Sequence, residues 1–254
     1  MKKTEFKLPE NGRELYGVMI EPEGEGKFPT IIFSHGYNGS GRDFEWLGEH
    51  LARHGVAAFC YDFCGGSVNS RSSMATTDMT IFTEKEDLHS VLRFMKENGA
   101  ADARNIFLFG GSQGGLVSAL AAEEAKDDVR GLLLLFPAMC IADNWNKRFP
   151  EEKDIPAVQE LWGMNLGKKF FSTLRGFDVY QQIGGYGRSV RVIYGEDDPI
   201  VSLDYMEWLK TVYKDMELYI FKGEGHGFSE EGNRRMAELT LEFVRQNSVK
   251  RTEG

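Results

Sequence analysis

The sequence has few cysteines and histidines, which are the residues that form disulfides and structural zinc sites. Its 254 residues include only three cysteines and five histidines. No Cys-x-x-Cys pair stands beside a histidine, so the sequence predicts no structural zinc site. Three cysteines cannot all pair with one another, which favours reduced thiols and a cytoplasmic location.

Long hydrophobic runs are also missing. No stretch reaches the roughly 18 uncharged apolar residues of a membrane span, and no apolar region follows the N-terminal lysines. We therefore expect neither a membrane span nor a secretory signal. The formal charge of −9 disfavours nucleic acid and anionic membranes as partners. Contents of 41% hydrophobic and 27% charged residues are typical of a globular protein.

Apolar strand patterns alternate with amphipathic helix patterns along most of the chain. Continuous apolar strands separated by helices favour a parallel sheet with both faces covered, so the predicted class is α/β. An Asn11-Gly12 turn predicts a β-hairpin before this region. The strands are expected at 30–36, 55–63, 105–110, 129–137, 189–195 and 216–221, and the helices at 43–54, 79–98, 116–125, 203–213 and 234–247.

One segment interrupts the alternation. Residues 138–186 are longer than a single crossover needs and are rich in aromatic side chains. We interpret them as a small lid inserted into a core formed by residues 1–137 and 187–254, with Trp145, Trp162 and Phe171 as candidate substrate contacts. The alternatives are a decorated crossover with a satellite core, and an aromatic surface that forms a homodimer.

Four glycines surround Ser112 in the stretch "LFGGSQGGLVSALAA" at 108–122. A serine at a tight strand-to-helix turn is presented at the carboxyl edge of a parallel sheet, and small residues are needed two positions before and after it. Gly110 and Gly114 meet that need, so the pattern predicts a nucleophile elbow. A glycine-rich helix entry without catalytic function is the alternative.

A serine nucleophile needs a base, and the base needs an orienting acid. His226 lies in the glycine-flanked loop "GEGHGF" after the last predicted strand, and is the candidate base. After the strand at 189–195 the chain reads "GEDDPIV", which offers three acids. Asp198 is preferred because Pro199 biases it to an extended conformation, and Asp197 is the second candidate.

An oxyanion hole needs two backbone N–H groups. Gln113 follows the nucleophile and is the first candidate donor. The loop "SHGYNGSG" at 34–41 offers the second, with Tyr37 as its donor. His35 is expected to brace that loop by hydrogen bonds, although a role as catalytic base is an alternative.

The motifs "HGYNG", "GGSQGG", "GEDDPIV" and "GEGHGF" resemble those of the α/β-hydrolase superfamily in type and order over nearly the whole chain. Within that superfamily the chain resembles the small bacterial esterases that include cinnamoyl and feruloyl esterases. The resemblance implies a triad of Ser112, Asp198 and His226. It also implies Tyr37 and Gln113 as oxyanion donors, and a lid that helps to bind an aromatic acyl group.

We therefore expect a serine esterase that hydrolyses small carboxylic esters through an acyl-enzyme, without a metal or organic cofactor. Two glycine-rich motifs, "GGSQGG" and "HGYNG", also occur in acetyl-ester deacetylases of this fold, which is one alternative. A serine peptidase acting on short peptides with the same triad is another. An alternative from a different functional class is a binding protein without catalytic activity. Labelling of Ser112 by a fluorophosphonate would exclude this alternative.

Overall fold

The computed structural model describes residues 1–10, 12–97, 99 and 101–250. These residues form one sheet of eight strands in the order β1-β2-β4-β3-β5-β6-β9-β10. Its strands are β1 (Lys2–Glu10), β2 (Arg13–Glu21), β3 (Phe28–Ser34), β4 (Ala57–Tyr61), β5 (Ala101–Gly111), β6 (Gly131–Leu135), β9 (Val190–Gly195) and β10 (Met216–Phe221). This is the mostly parallel sheet that the alternating pattern predicted.

Helices cover both faces of the sheet, as expected for continuously apolar parallel strands. The main helices are α1 (Arg42–Ala52), α2 (Ile81–Glu97), α3 (Gln113–Glu124), α7 (Leu203–Val212) and α8 (Glu230–Asn247). Helices α1 and α8 bury Leu47 and Leu241 in one cluster. Helices α2, α3 and α7 contribute to the cluster on the opposite face, for example through Leu88 and Leu116. None of the helices in the described ranges is long and apolar enough to cross a membrane.

The chain opens with the predicted hairpin. Strands β1 and β2 pair antiparallel from Lys2 opposite Glu21 to Glu10 opposite Arg13. Gly12 has a positive φ of 78°, which glycine adopts without strain. Asn11, the other predicted turn residue, lies outside the described residues. The hairpin continues the sheet because β2 also pairs antiparallel with β4.

The last helix begins four residues earlier than its apolar pattern predicts. Helix α8 starts at Glu230, whereas the sequence indicated residue 234. The Ser229 hydroxyl accepts a hydrogen bond from the Gly232 N–H, which caps the exposed amides of the first turn. The apolar pattern begins after the start of the helix because the residues of the first helical turn are polar.

The segment between β6 and β9 forms several short elements. They are α4 (Ile141–Arg148), the antiparallel pair β7 (Val158–Leu161) and β8 (Met164–Gly167), α5 (Lys168–Leu174) and α6 (Val179–Gln182). Its buried residues Leu166, Phe170 and Leu174 belong to the same hydrophobic cluster as the sheet. The segment therefore packs onto the main core rather than around a separate core of its own.

Candidate active site

Ser112 occupies the sharp turn between β5 and α3. Its φ of 51° and ψ of −117° are strained for a residue with a side chain. A Cβ placed on Gly110 would overlap the Gly114 carbonyl oxygen, and one placed on Gly114 would overlap the carbonyl oxygens of Ser34 and His35. Gly110 and Gly114 are thus required by the close approach of three backbone segments.

Three side chains from separate loops meet at the carboxyl edge of the sheet. His226 Nε2 lies 2.9 Å from Ser112 Oγ, and His226 Nδ1 lies 2.7 Å from Asp198 Oδ2. Ser112 follows β5, Asp198 follows β9 and His226 follows β10. Because β9 and β10 are parallel neighbours, their loops bring Asp198 and His226 together.

Asp198 is the acid of the "GEDDPIV" stretch that reaches the imidazole. Its side chain is fully buried, and Oδ1 accepts hydrogen bonds from the N–H groups of Ile200 at 2.8 Å and Val201 at 3.0 Å. These bonds fix the carboxylate and leave Oδ2 for His226. The other two acids, Glu196 and Asp197, are exposed to solvent.

The two candidate oxyanion donors lie beside Ser112. Gln113 is the next residue, and its N–H makes no hydrogen bond within the described chain. The same holds for the N–H of Tyr37. A Cβ placed on Gly36 would lie 3.3 Å from the Cβ of Ser112, so the loop that carries Tyr37 runs directly past the serine. Free amides beside a serine hydroxyl are suited to hold a negative oxygen.

His35 holds the Tyr37 loop in place. Its Nδ1 lies 2.7 Å from the Gly36 carbonyl oxygen, and its Nε2 accepts a hydrogen bond from the Phe63 N–H at 3.0 Å. Burial lowers the pKa of the imidazole, which favours the neutral form that makes both bonds. Both ring nitrogens are occupied by backbone groups, which agrees with bracing and leaves neither nitrogen for a catalytic base.

The inserted segment is tied to the same loop. The Tyr37 hydroxyl donates to the Leu161 carbonyl oxygen at 3.0 Å, and the Asn38 amide donates to that of Trp162 at 3.1 Å. The rings of Tyr37 and Trp162 meet edge to face at 6.0 Å. The β7–β8 turn therefore supports the loop that carries Tyr37, the candidate oxyanion donor.

A buried acid next to Gln113 was missed by the sequence analysis. Glu84 of α2 is 1% exposed, and both of its carboxyl oxygens lie within 3.0 Å of the Gln113 side-chain nitrogen. Burial raises the pKa of Glu84 well above its usual range. The available signal was its spacing from Ile81 and Leu88, which puts a carboxyl group on the apolar face of the helix.

A cavity of about 380 Å³ opens from Ser112 toward the inserted segment, and we call it the insertion-side cavity. Its walls are mostly apolar, and Lys147 and Arg148 also line it. The apolar lining comes from Ala138, Cys140, Ile141, Trp145, Leu161, Trp162, Leu166, Phe170 and Ile200. The size and lining fit a small apolar group attached to a reacting carbonyl.

Two of the three predicted aromatic contacts line this cavity, and the third does not. Trp145 and Trp162 are part of the wall, whereas Phe171 is replaced there by its neighbour Phe170. Adjacent residues of a helix point about 100° apart. Phe171 is therefore turned toward α4, where its ring packs edge-on against Trp145 at 4.7 Å and Phe149 at 5.3 Å. The assignment of Phe171 to substrate is corrected to a supporting position behind Trp145.

A second cavity of about 480 Å³ lies on the other side of Ser112, and we call it the histidine-side cavity. His226 lines it together with aromatic residues. It shares Tyr37, Ser112, Trp162 and Ile200 with the insertion-side cavity, so the serine lies where the two cavities meet. The aromatic lining comes from Phe44, Trp46, Phe136 and Phe228.

The cysteine that borders the site is not activated. Cys140 lines the insertion-side cavity, and burial raises the pKa of its thiol to about 11. The thiolate is the nucleophilic form of cysteine, and it is scarce at neutral pH with such a pKa. Ser112 is therefore the nucleophile that the geometry favours.

The fold is shared with several solved α/β-hydrolase structures. Est1E from Butyrivibrio proteoclasticus, solved with ferulic acid bound, superposes with a TM-score of 0.87 at 23% identity, over 95% of this chain and 98% of that one. The α/β hydrolase GrgF from Penicillium sp. sh18 superposes with a TM-score of 0.81 at 17% identity, over 97% of this chain and 99% of that one. At these identities the likeness shows a common fold.

Sequence comparisons give the family. A protein described as an uncharacterized peptidase, YtmA of Bacillus subtilis (strain 168), is 21% identical over 245 residues, which are 92% of this chain and 90% of YtmA. A family model matches residues 27–175, a range that includes Ser112 and most of the inserted segment. The chain is an α/β-hydrolase and belongs to the Hydrolase_4 family, described as serine aminopeptidase, S33.

Proposed function

We propose that the protein is a serine esterase that hydrolyses small carboxylic esters with an apolar or aromatic acyl group. The observation that carries the proposal is the chain of hydrogen bonds from Asp198 through His226 to Ser112, placed where a mostly apolar cavity meets a second cavity lined by His226. Feruloyl esters are one candidate class. The aromatic insertion-side cavity supports it, as does the fold shared with Est1E, which was solved with ferulic acid.

The first half of the reaction forms an acyl-enzyme. His226 Nε2 takes the hydroxyl proton of Ser112 while Oγ attacks the ester carbonyl carbon. The carbonyl oxygen becomes an anion held by the N–H groups of Tyr37 and Gln113. When the intermediate collapses, the bond to the leaving oxygen breaks, and His226 gives its proton to the departing alcohol.

The second half releases the acid. His226 takes a proton from water, whose oxygen attacks the acyl carbon, and the proton then returns to Ser112 Oγ as the acid leaves. Asp198 keeps the imidazole in the tautomer with its proton on Nδ1, so that Nε2 can accept. No step in this cycle needs a group beyond the protein and water.

Replacement of the nucleophile tests the proposal. Ser112→Ala should lower kcat/KM for p-nitrophenyl esters by at least about 10³-fold and should prevent labelling by a fluorophosphonate probe. The thermal melting temperature should stay within a few degrees of the wild type. Wild-type turnover rates in the variant would refute the assignment of Ser112.

Amide hydrolysis is a second candidate function. The family description and the name of YtmA favour it, and the same three residues can attack an amide. A panel that sets aminoacyl p-nitroanilides and short peptides against p-nitrophenyl and methyl hydroxycinnamate esters separates the two. We expect the esters to have the higher kcat/KM. Short acyl esters in the same panel test the acetyl-ester deacetylase alternative.

A further inference from the structure

We propose that the acyl part of the natural substrate ends in a carboxylate, so that the enzyme cleaves esters of dicarboxylic acids. This inference rests on the proposed esterase function and names its substrate class. The observation behind it is a pair of cations, Lys147 and Arg148, on the wall of a mostly apolar cavity that opens from Ser112.

The position of His226 assigns the two cavities. In the tetrahedral intermediate the leaving oxygen must face His226 Nε2, because that atom supplies its proton. His226 lines the histidine-side cavity, so the leaving alcohol lies there. The acyl group then extends in the remaining direction, into the insertion-side cavity, which Gln113 lines instead.

The charges along the insertion-side cavity have one sign. Its charged lining residues are Lys147 and Arg148, and no carboxylate is among its lining residues. The chain as a whole has 39 acidic and 30 basic residues, so a lining with cations alone runs against the composition. Lys147 and Arg148 are both exposed at the end of α4. Within the described residues, neither of them forms an ion pair.

Two acids lie near these cations without forming an ion pair with either of them. Asp143 lies on α4 between the lining residues Ile141 and Trp145, and its carboxylate accepts hydrogen bonds from the hydroxyls of Tyr180 at 3.0 Å and Tyr205 at 2.8 Å. Glu160 precedes the lining residue Leu161, and it accepts a hydrogen bond from the Gly163 N–H at 2.6 Å. Both carboxylates keep their charge, but within the described residues neither forms an ion pair with Lys147 or Arg148, so both cations can still contact an anionic ligand.

Arg148 is also positioned by the aromatic wall. Its guanidinium lies 5.5 Å from the ring centre of Trp145 and 5.7 Å from that of Phe149. A guanidinium over aromatic rings has less freedom than one in open solvent, and its N–H groups can still bind a carboxylate. An acyl chain that runs along Trp145 would therefore bring its terminal carboxylate to Arg148 and Lys147.

The same charges disfavour the substrates of an aminopeptidase. Removal of an N-terminal residue requires that the acyl part carry a free ammonium group. In this cavity that group would meet two cations and no lining carboxylate, which is repulsive.

The test compares esters that differ only in the end of the acyl chain. Adipate and suberate p-nitrophenyl esters would be prepared with a free carboxylate or with the neutral, isosteric primary amide, and a 6-aminohexanoate ester would supply an ammonium end. We expect kcat/KM for the carboxylate to exceed that for the amide by about three- to tenfold, and the ammonium ester to be the poorest. Raising the salt concentration should reduce this preference, because the cations are exposed.

Substitution of the cations should remove the preference. In the double variant Lys147→Gln, Arg148→Gln the ratio of carboxylate to amide kcat/KM should fall to about one. Lys147→Glu should turn the preference toward the ammonium ester. Lys169→Gln is the matched control, because Lys169 is an exposed lysine of the neighbouring helix α5 that does not line the cavity. It should leave the ratio at the wild-type value.

The outcomes separate this inference from the proposed function. If the wild type hydrolyses none of these esters, or Ser112→Ala hydrolyses them equally well, the esterase proposal fails. If the esters are hydrolysed but the ratio is one or less, or survives the double variant, the carboxylate inference fails. A preference for an anion on the leaving phenol, measured with 4-acetoxybenzoate against 4-acetoxybenzamide, would overturn the assignment of the cavities.

Discussion

At the scale of single residues, Asp198 differs from the neighbouring acids Glu196 and Asp197 in its hydrogen bonds rather than in its chemical group. The stretch "GEDDPIV" holds three acids, and the buried one is held by two backbone N–H groups and by His226. In the proposed mechanism a carboxylate in this position orients the imidazole and stabilises the imidazolium that would form during ester hydrolysis. Exposed acids on the same loop cannot have this effect.

Asp198→Asn should therefore lower kcat for p-nitrophenyl acetate by about 10²–10⁴-fold with little change in KM. An asparagine can still accept from the N–H groups of Ile200 and Val201, but its amide NH₂ then faces His226 Nδ1. The imidazole would adopt the tautomer that carries its proton on Nε2 and could not accept the proton of Ser112. Steady-state kinetics, with thermal unfolding to verify folding, measure the effect.

Asp197→Asn is the matched control for this change. Asp197 is the adjacent residue and is exposed. Its substitution should leave kcat within about twofold, in line with the small effects of exposed sites. Equal losses in the two variants would show that the loop, and not the carboxylate at Asp198, matters.

At the scale of elements, the close packing of α3 against β3 presents the serine. Gly114 lies in the first turn of α3, directly beneath the carbonyl oxygens of Ser34 and His35 at the end of β3. Any side chain at this position pushes the helix away from the strand. The turn that holds Ser112 would move with it, and so would the amide of Gln113.

Gly114→Ala is expected to lower the free energy of unfolding by about 1–3 kcal/mol, because the added methyl group overlaps backbone atoms. This outweighs the roughly 1 kcal/mol that alanine gains over glycine in a helix. Urea unfolding measures the loss, and kcat for p-nitrophenyl esters should fall as well.

Gly187→Ala serves as the comparison for Gly114→Ala. A Cβ on Gly187 would have no neighbour within 4 Å among the described atoms. Its effect on the free energy of unfolding should stay within about 0.5 kcal/mol. A neutral Gly114→Ala would contradict the packing described for α3 and β3.

At the scale of the whole molecule, the stability should depend on buried carboxyl groups of α2. Asp87 is fully buried, and its Oδ2 accepts a hydrogen bond from the Cys64 N–H at 2.8 Å. Its Oδ1 lies 3.4 Å from an Arg13 guanidinium nitrogen and accepts no hydrogen bond within the described chain. Burial raises the pKa of Asp87 from 3.8 to about 7.

This pKa predicts how stability changes with pH. Between about pH 4 and pH 7 the folded state binds more protons than the unfolded chain, so the free energy of unfolding falls as the pH rises and levels off above pH 7. The full fall is a few kcal/mol at most, since one pKa unit corresponds to about 1.4 kcal/mol. The Asp87→Asn variant lacks this titrating group, so its free energy of unfolding should not show this fall. Its free energy of unfolding relative to the wild type should therefore increase from pH 4.5 to pH 8.

Urea unfolding of both proteins at a series of pH values measures the difference. Glu84 is present in both proteins, and its pKa is raised first by burial and to a smaller extent by the Asp87 charge. The difference between the two curves therefore reports Asp87 together with its coupling to Glu84. Parallel curves across this pH range would contradict an ionisation of Asp87 near neutral pH.

The sequence by itself determined the α/β class, the succession of the main strands and helices along the chain, and the position of the strand-to-helix turn at Ser112. These features depend on interactions between residues close in the chain: the apolar periodicity of each element, and the need for small residues around a tight turn. It also narrowed the candidate base to His226, with His35 as the alternative, and the candidate acid to one short stretch, because few residues of those types follow the right strands. The periodicity placed the start of α8 four residues too late, because the first turn of that helix is polar.

Only the tertiary structure decided which of several similar residues meet. It brought Asp198 rather than its neighbours to His226, and it placed Phe170 rather than Phe171 in the cavity wall. It also put Glu84 against Gln113, and Lys147 and Arg148 along an apolar cavity. These outcomes depend on contacts between segments far apart in the chain, whose relative positions follow from the packing of the sheet and are not encoded in any local pattern.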